Sequence, residues 1–177
     1  MISMSFEYHN ELVTGYDIID DAIHRVKRGR KDSILFLASA GNLWEQNMGF
    51  PAKHADVIPI YAGDSKGDFL WSNPAHTWKG LIKLGTYGTD IPLSIVNEVQ
   101  SHFPKADFSA GTSIATAIAV GIVAMTLSYV AALPALFNES GYKELFAKLY
   151  TKKGMELMLQ TMSLTYKYPD HFINPVW

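Results

Sequence analysis

The sequence predicts an α/β domain built on a mostly parallel sheet. Residues 2–62 read as strand, helix, strand, strand. The second of these strands is a continuous apolar run rather than an alternating one, the mark of a strand covered on both faces. Amphipathic helices follow toward the C-terminus, so helical layers are available to cover the sheet. A length of 177 residues suits one domain of ordinary size, with 48% apolar and 18% charged residues to build a core.

Ile2 to Phe6 alternates apolar and small polar residues, as a short strand does. From Asp17 the positions Ile18, Ile19, Ala22, Ile23 and Val26 keep helical spacing, with Asp17 as the expected N-cap and Gly29 as the expected stop. Ile34–Ala38 is the apolar strand, and Ala40-Gly41-Asn42 is the turn after it. Val57–Ala62 reads as a third strand, although Pro59 cannot donate to a sheet ladder. Residues 64–88 are rich in Gly, Ser, Asn, Pro and Asp and read as loops and hairpins. Beyond Pro134 two amphipathic helices are expected. Tyr142, Leu145, Phe146 and Leu149 mark the first, and Met155, Met158, Leu159 and Met162 the second, as core-packing stripes.

Composition excludes several function classes. A net charge of −2 without a basic patch argues against nucleic-acid binding. Cysteine is absent, which removes disulfides, thiol nucleophiles and thiolate metal sites but leaves the compartment open. Met1–Glu7 has neither the basic nor the apolar region of a signal peptide. It reads as the middle of a strand, which raises the expectation of missing upstream sequence. Ile114–Leu133 is uncharged over 20 residues, long enough to span a bilayer. Its Ala, Gly, Ser and Thr content and the lack of flanking Lys or Arg clusters favour instead a helix threaded through a protein core.

The chemistry concentrates where that segment begins. In Phe108-Ser109-Ala110-Gly111-Thr112-Ser113-Ile114-Ala115-Thr116-Ala117 a turn leads into the helix, so Ser113 falls at a helix N-terminus. Free N–H groups and the macrodipole there favour negative charge, as an acyl-transfer oxyanion requires. A Thr112 or Ser113 that merely caps the helix is the other reading of the same residues.

Gly111-Thr112-Ser113-Ile114-Ala115-Thr116, with Gly121 following, closely resembles the serine box of the subtilisin-like serine proteases. Ala38-Ser39-Ala40-Gly41-Asn42 resembles the strand of that family ending in Ala-Gly-Asn, Phe50-Pro51-Ala52 its Tyr-Pro-Ala segment, and Asp64, Gly67 and Ser72-Asn73 the positions that follow. Ile2-Ser3-Met4-Ser5-Phe6 resembles the strand that lines the specificity pocket and pairs with extended substrate. The resemblance implies a partial subtilisin-like three-layer fold over residues 1–133, with a buried central helix starting at the nucleophile. Residues 134–177 are then a C-terminal helical extension, more weakly similar to that of fungal members.

The resemblance implies Ser113 as nucleophile, Asn42 as oxyanion donor, and Ser5, Phe6, Ala40 and Gly41 as substrate-binding residues. The substrate would be a polypeptide, and neither cofactor nor metal is implied. In chain order the family runs Asp, His, Ser. The Asp and His boxes belong upstream of the specificity strand, so the chain is expected to be a truncated half whose missing N-terminal half would be a partner. Asp64-Ser65-Lys66-Gly67 has an extra residue and the wrong position for the Asp box, and reads as a turn. None of the six histidines (His9, His24, His54, His76, His102, His171) precedes Gly-Thr, and each reads as an ordinary surface or loop residue. Glu7 stands where the family has glycine, where a side chain would crowd an extended substrate. Ala117 replaces a proline, and Ile118 a residue that is often histidine. Three functional readings follow: a serine endopeptidase inactive without its other half, a catalytically dead remnant serving as a peptide-binding or interaction module, and a small membrane protein spanning 114–133.

Overall fold

The computed structural model describes residues 1–8, 15–30, 34–44, 47–74, 82–104, 110–137, 142–167 and 170–174. Six strands form one sheet: β1 (Ile2–Met4), β2 (Phe36–Ser39), β3 (Val57–Gly63), β4 (Lys83–Tyr87), β5 (Leu164–Lys167) and β6 (Asp170–Phe172). Their spatial order is β1-β2-β3-β4-β6-β5. All neighbours pair in parallel except β5, which is antiparallel to β6.

Side-chain alternation explains the apolar runs. Leu35, Leu37, Ile58, Ile60, Ala62 and Leu84 point to one face, where α3 (Thr112–Phe137), α4 (Tyr142–Leu149) and α5 (Lys152–Met162) supply the cover. Phe36, Ala38, Val57 and Tyr61 point to the other, against Met4, Phe50 and Ile23 of α1 (Tyr16–Arg30). Each residue of β2 and β3 is thus buried by one helical layer or the other, and alternation of polarity disappears. The fold is α/β with a mostly parallel sheet and helices on both faces, as expected.

Several expectations change in detail. β1 ends at Met4 rather than Phe6. The first helix starts at Tyr16, so Asp17 lies inside its first turn, where its charge suits the dipole, and is not the N-cap. Gly29 is helical and does not stop the helix. Of its apolar positions Ile23 is buried, while Ile18 is 65% exposed. Pro59 sits in a strand with neighbours on both sides. Ala40 N–H donates to the Ile60 carbonyl, which turns Ile60 toward β2. Successive residues of a parallel strand alternate in bonding direction, so Pro59 turns its nitrogen toward β4, whose pairing begins only at Ile60↔Leu84.

The stretch expected to be loops contains β4, and the chain beyond it contains α2 (Leu93–His102), which has no buried residue. The boundary placed at Leu133 falls inside α3. Residues beyond it supply α4 and α5 as two amphipathic helices, with Leu149, Met155 and Leu159 in the core and Met162 45% exposed. They also supply β5 and β6, and β6 pairs with β4. The side chains of Tyr142 and Leu145 lie outside the described residues.

The central helix is covered along one stripe. Thr112, Ala115, Thr116, Ala119, Ile122, Val123, Thr126, Leu127 and Val130 are buried, at helical spacing. The opposite side is open: Met125, Tyr129 and Leu136 are 52%, 64% and 67% exposed. By length and composition α3 is also long and apolar enough to cross a membrane.

Candidate functional site

Parallel strands carry their loops to one end, and here the C-terminal ends of β2, β3 and β4 converge on the start of α3. Gly88, just past β4, donates its N–H to Gly63 O (2.8 Å), and Gly111 donates its N–H to Gly88 O (2.8 Å). This ladder of loop contacts fixes where the helix begins. Thr112 is its first residue and is fully buried; Ser113 follows and is exposed. Ser113 therefore lies in the first turn, where N–H groups project out of the helix.

Asn42 reaches the same point from the end of β2. Its Oδ1 accepts from Thr112 N–H (2.8 Å) and from Thr112 Oγ1–H (3.1 Å). A backbone N–H can only donate, so the atom facing it must be the amide oxygen, and Nδ2 lies on the other side. Thr112 Oγ1 in turn accepts from Gly41 N–H (3.3 Å). The amide rests on Gly111: a Cβ there would come within 2.9 Å of Asn42 Oδ1 and 3.0 Å of Nδ2. The glycine of Gly-Thr-Ser is thus required by close approach of the asparagine. The Thr112 hydroxyl thus binds the turn at Gly41 and Asn42 rather than an N–H of its own helix, and Ser113 is left exposed.

The other expected site residues sit nearby. Ala40 and Gly41 are buried, and Gly41 has φ +115°. Ser5 and Phe6 are exposed just past β1, which is an edge strand with one side unpaired within the sheet. Tyr8 then pairs with Phe50 through reciprocal backbone bonds of 2.8 and 2.9 Å. Between them Glu7 sends its side chain back across Gly41 and Gly49, and its Oε1 accepts from Gly49 N–H (3.2 Å).

Asp64 heads a turn: its Oδ1 accepts from Lys66 N–H (2.8 Å) and Asp68 N–H (3.0 Å). Asn73, noted in the sequence only as a resemblance, is buried. It pins the end of β3 by accepting from Ala62 N–H (2.9 Å) and donating to Ala62 O (2.7 Å) and Leu70 O (2.9 Å). Phe108, Ser109, His9 and His76 lie outside the described residues.

His171 is not the surface or loop residue expected, and His54, although in a loop, has a shielded side chain. His171 is buried in β6 with Nδ1 2.9 Å from Ser163 Oγ. His54 has a side chain only 8% exposed and lies 3.4 Å from Asp20, which is also 3.6 Å from His24. Ligand atoms of Asp20, His24 and His54 fall within 4.8 Å of one another, the size of a metal site. However, His54 Nδ1 accepts from Asp56 N–H (3.0 Å). The proton of the neutral ring is therefore on Nε2, which faces Asp20 as a donor rather than offering a lone pair to an ion. Among the described residues no side chain hydrogen-bonds Ser113 Oγ.

No family model matches the chain, and no curated protein matches it. Solved structures do. The chain shares its fold with the prenylagaramide maturation protease PagA. The two are 19% identical with a TM-score of 0.55, over 83% of this chain and 49% of PagA. This chain thus spans about half the length of PagA. The self-cleaved protease domain of PatA is a further neighbour at 19% identity, with a TM-score of 0.47 over 80% of this chain and 46% of that one. At such identity the likeness to PagA is one of fold, and it agrees with the α/β architecture expected.

Proposed function

We propose that this chain is the part of a subtilisin-type serine endopeptidase domain that carries the nucleophile and the oxyanion site. The observation that carries this reading is the orientation of Asn42. Its oxygen accepts from Thr112, the residue before Ser113, which leaves Nδ2 as the donor end of the amide. In this reading Nδ2 and the first-turn N–H of the exposed Ser113 serve as the two donors an acyl-transfer intermediate needs.

Ser113 Oγ attacks the peptide carbonyl carbon. The carbonyl oxygen takes the negative charge and accepts from Ser113 N–H and Asn42 Nδ2. A histidine takes the serine proton, passes it to the departing amine and later accepts one from the water that cleaves the acyl-serine; an aspartate holds that histidine in place. In this reading the histidine and the aspartate are supplied by a separate complementary half. Among the described residues no side chain hydrogen-bonds Ser113 Oγ, and on this reading the chain alone is inactive. The packing of α3 along β1, β2, β3 and β4 supports a core helix over a bilayer span, since an open sheet leaves backbone groups that lipid does not satisfy.

A serine-directed fluorophosphonate probe is the test. It fails to label the chain alone and labels Ser113 once a half bearing the Asp and His boxes is supplied. No labelling of the combined halves overturns the catalytic reading in favour of a peptide-binding module that keeps the same cleft.

A further inference from the structure

The charges of α1 fall into two groups. Those on its inner side are used within the chain: Asp20 lies 3.4 Å from His54, and Lys27 lies 2.6 Å from Asp56. On the outer side Asp17, Ile18, Asp21, Arg25, Arg28 and Gly29 are all exposed and follow helical spacing, so they share one face. Among the described residues, none of the four charges on this face makes an ion pair. Arg25 and Arg28 donate Nε–H to the carbonyls of Asp21 (3.3 Å) and His24 (3.4 Å), one turn back. Both side chains are thereby laid along the helix, with the other guanidinium donors available.

This face is complementary to its own reverse. Its acids occupy the first half of the helix and its bases the second. Two such helices, antiparallel about a two-fold axis at the level of Ile23, set Asp21 against Arg25 of the second copy and Asp17 against Arg28 of the second copy. Symmetry makes each pair occur twice. On the other flank of the same face, Ile18 then meets Gly29 of the second copy. The helix dipole alone favours acids first and bases last. It gives no reason for an isoleucine that is 65% exposed, or for the glycine. Gly29 is helical without a positive φ, and a Cβ added there meets nothing within 4 Å. Nothing among the described residues requires the missing side chain, and glycine weakens a helix. An isoleucine arriving from a second helix does require it.

We propose that the outer face of α1 is a homodimer interface, on which a second copy of this chain docks through its own α1, antiparallel and two-fold related. α1 covers the sheet face opposite α3, so this interface does not depend on the reading of Ser113. The charge pairs set the register and exclude the parallel arrangement, in which like charges would meet. Ile18 in the seat left by Gly29, with the aliphatic stems of the arginines, supplies the apolar contact. A pair of 15-residue helices buries less area than a standard interface. The dimer is therefore weak and forms at protein concentrations on the order of 100 μM.

Sedimentation equilibrium of the full chain, run up to about 500 μM, reads this association directly. Arg25→Asp sets two acids opposite each other and weakens the dimer about tenfold, as does Asp21→Arg. The double variant Asp21→Arg/Arg25→Asp exchanges the charges in both copies and restores the dimer to within about threefold of the unaltered chain. Gly29→Leu is a better helix former yet fills the seat of Ile18, and it too weakens the dimer about tenfold. Circular dichroism checks that each variant keeps its helices. A chain that stays monomeric throughout, or a dimer that Arg25→Asp and Gly29→Leu leave unchanged, overturns the interface. A double variant no tighter than the single ones overturns the antiparallel pairing.

Discussion

Thr112 does more for the site than its place beside the serine suggests. One fully buried hydroxyl accepts from Gly41 N–H and donates to Asn42 Oδ1, while the Thr112 N–H donates to the same oxygen. Thr112→Val keeps the shape and removes the hydroxyl, leaving Gly41 N–H without that acceptor and Asn42 held by one bond. Loss of about 1–3 kcal/mol of stability follows, read as a lowered urea midpoint, with Thr112→Ser close to the unaltered chain. In the combined halves the same variant slows labelling of Ser113, because Asn42 is no longer fixed. The meeting of Asn42 with the Gly-Thr-Ser segment was legible in the sequence because each sits in a local motif. The orientation of the amide was not, since it depends on residues 70 apart meeting through a threonine. The seat of Glu7 between Gly41 and Gly49 was equally hidden, since it joins three segments distant in the chain.

At the scale of elements, α3 shows what an apolar helix conceals. It is apolar all round, so its sequence does not say which stripe faces the sheet; only packing against β1–β4 selects Ala115, Ala119, Ile122 and Val123. Gly121 lies on the open side, and a Cβ added there meets nothing within 4 Å. A mid-helix glycine costs about 1 kcal/mol relative to alanine. Gly121→Ala therefore stabilises the isolated chain by about that amount, a rise in Tm of roughly 2–4 °C. A neutral or lowered Tm shows instead that the open side is already occupied in solution. β2 and β3 were legible because strands buried on both faces read as unbroken apolar runs. β4 was not, because Lys83, Gly85 and Thr86 dilute its apolar content and a loop-rich stretch precedes it. α2 buries no residue and so imposes no core stripe on its sequence.

Across the whole molecule, one polar cluster ties the layers together. α1 brings Asp20, His24 and Lys27 against the segment before β3, where Lys27 Nζ meets Asp56 at 2.6 Å and His54 meets Asp20. From α5, Lys152 Nζ donates to Ala55 O at 2.9 Å. Burial holds the His54 imidazole below its usual range, with His24 and Lys152 adding to this and Asp20 and Asp56 opposing it. A folded-state value below the unfolded one means that the unfolded chain takes up the proton first as pH falls. The stability of the neutral form is thus intact above about pH 7 and declines as pH drops through ~6.5 toward the folded value. Urea midpoints at about pH 7.5 and 5.5 check this: the midpoint is lower in acid, and His54→Gln makes the difference smaller. The sheet order carries one more consequence. β4 waits for β6, a partner encoded far downstream beyond the four helices α2 to α5. A ribosome adding roughly 5–20 residues per second leaves that strand edge bare for several seconds while α3, the stickiest segment of the chain, emerges beside it. The nascent polypeptide therefore passes through an interval in which that edge is open to mispairing.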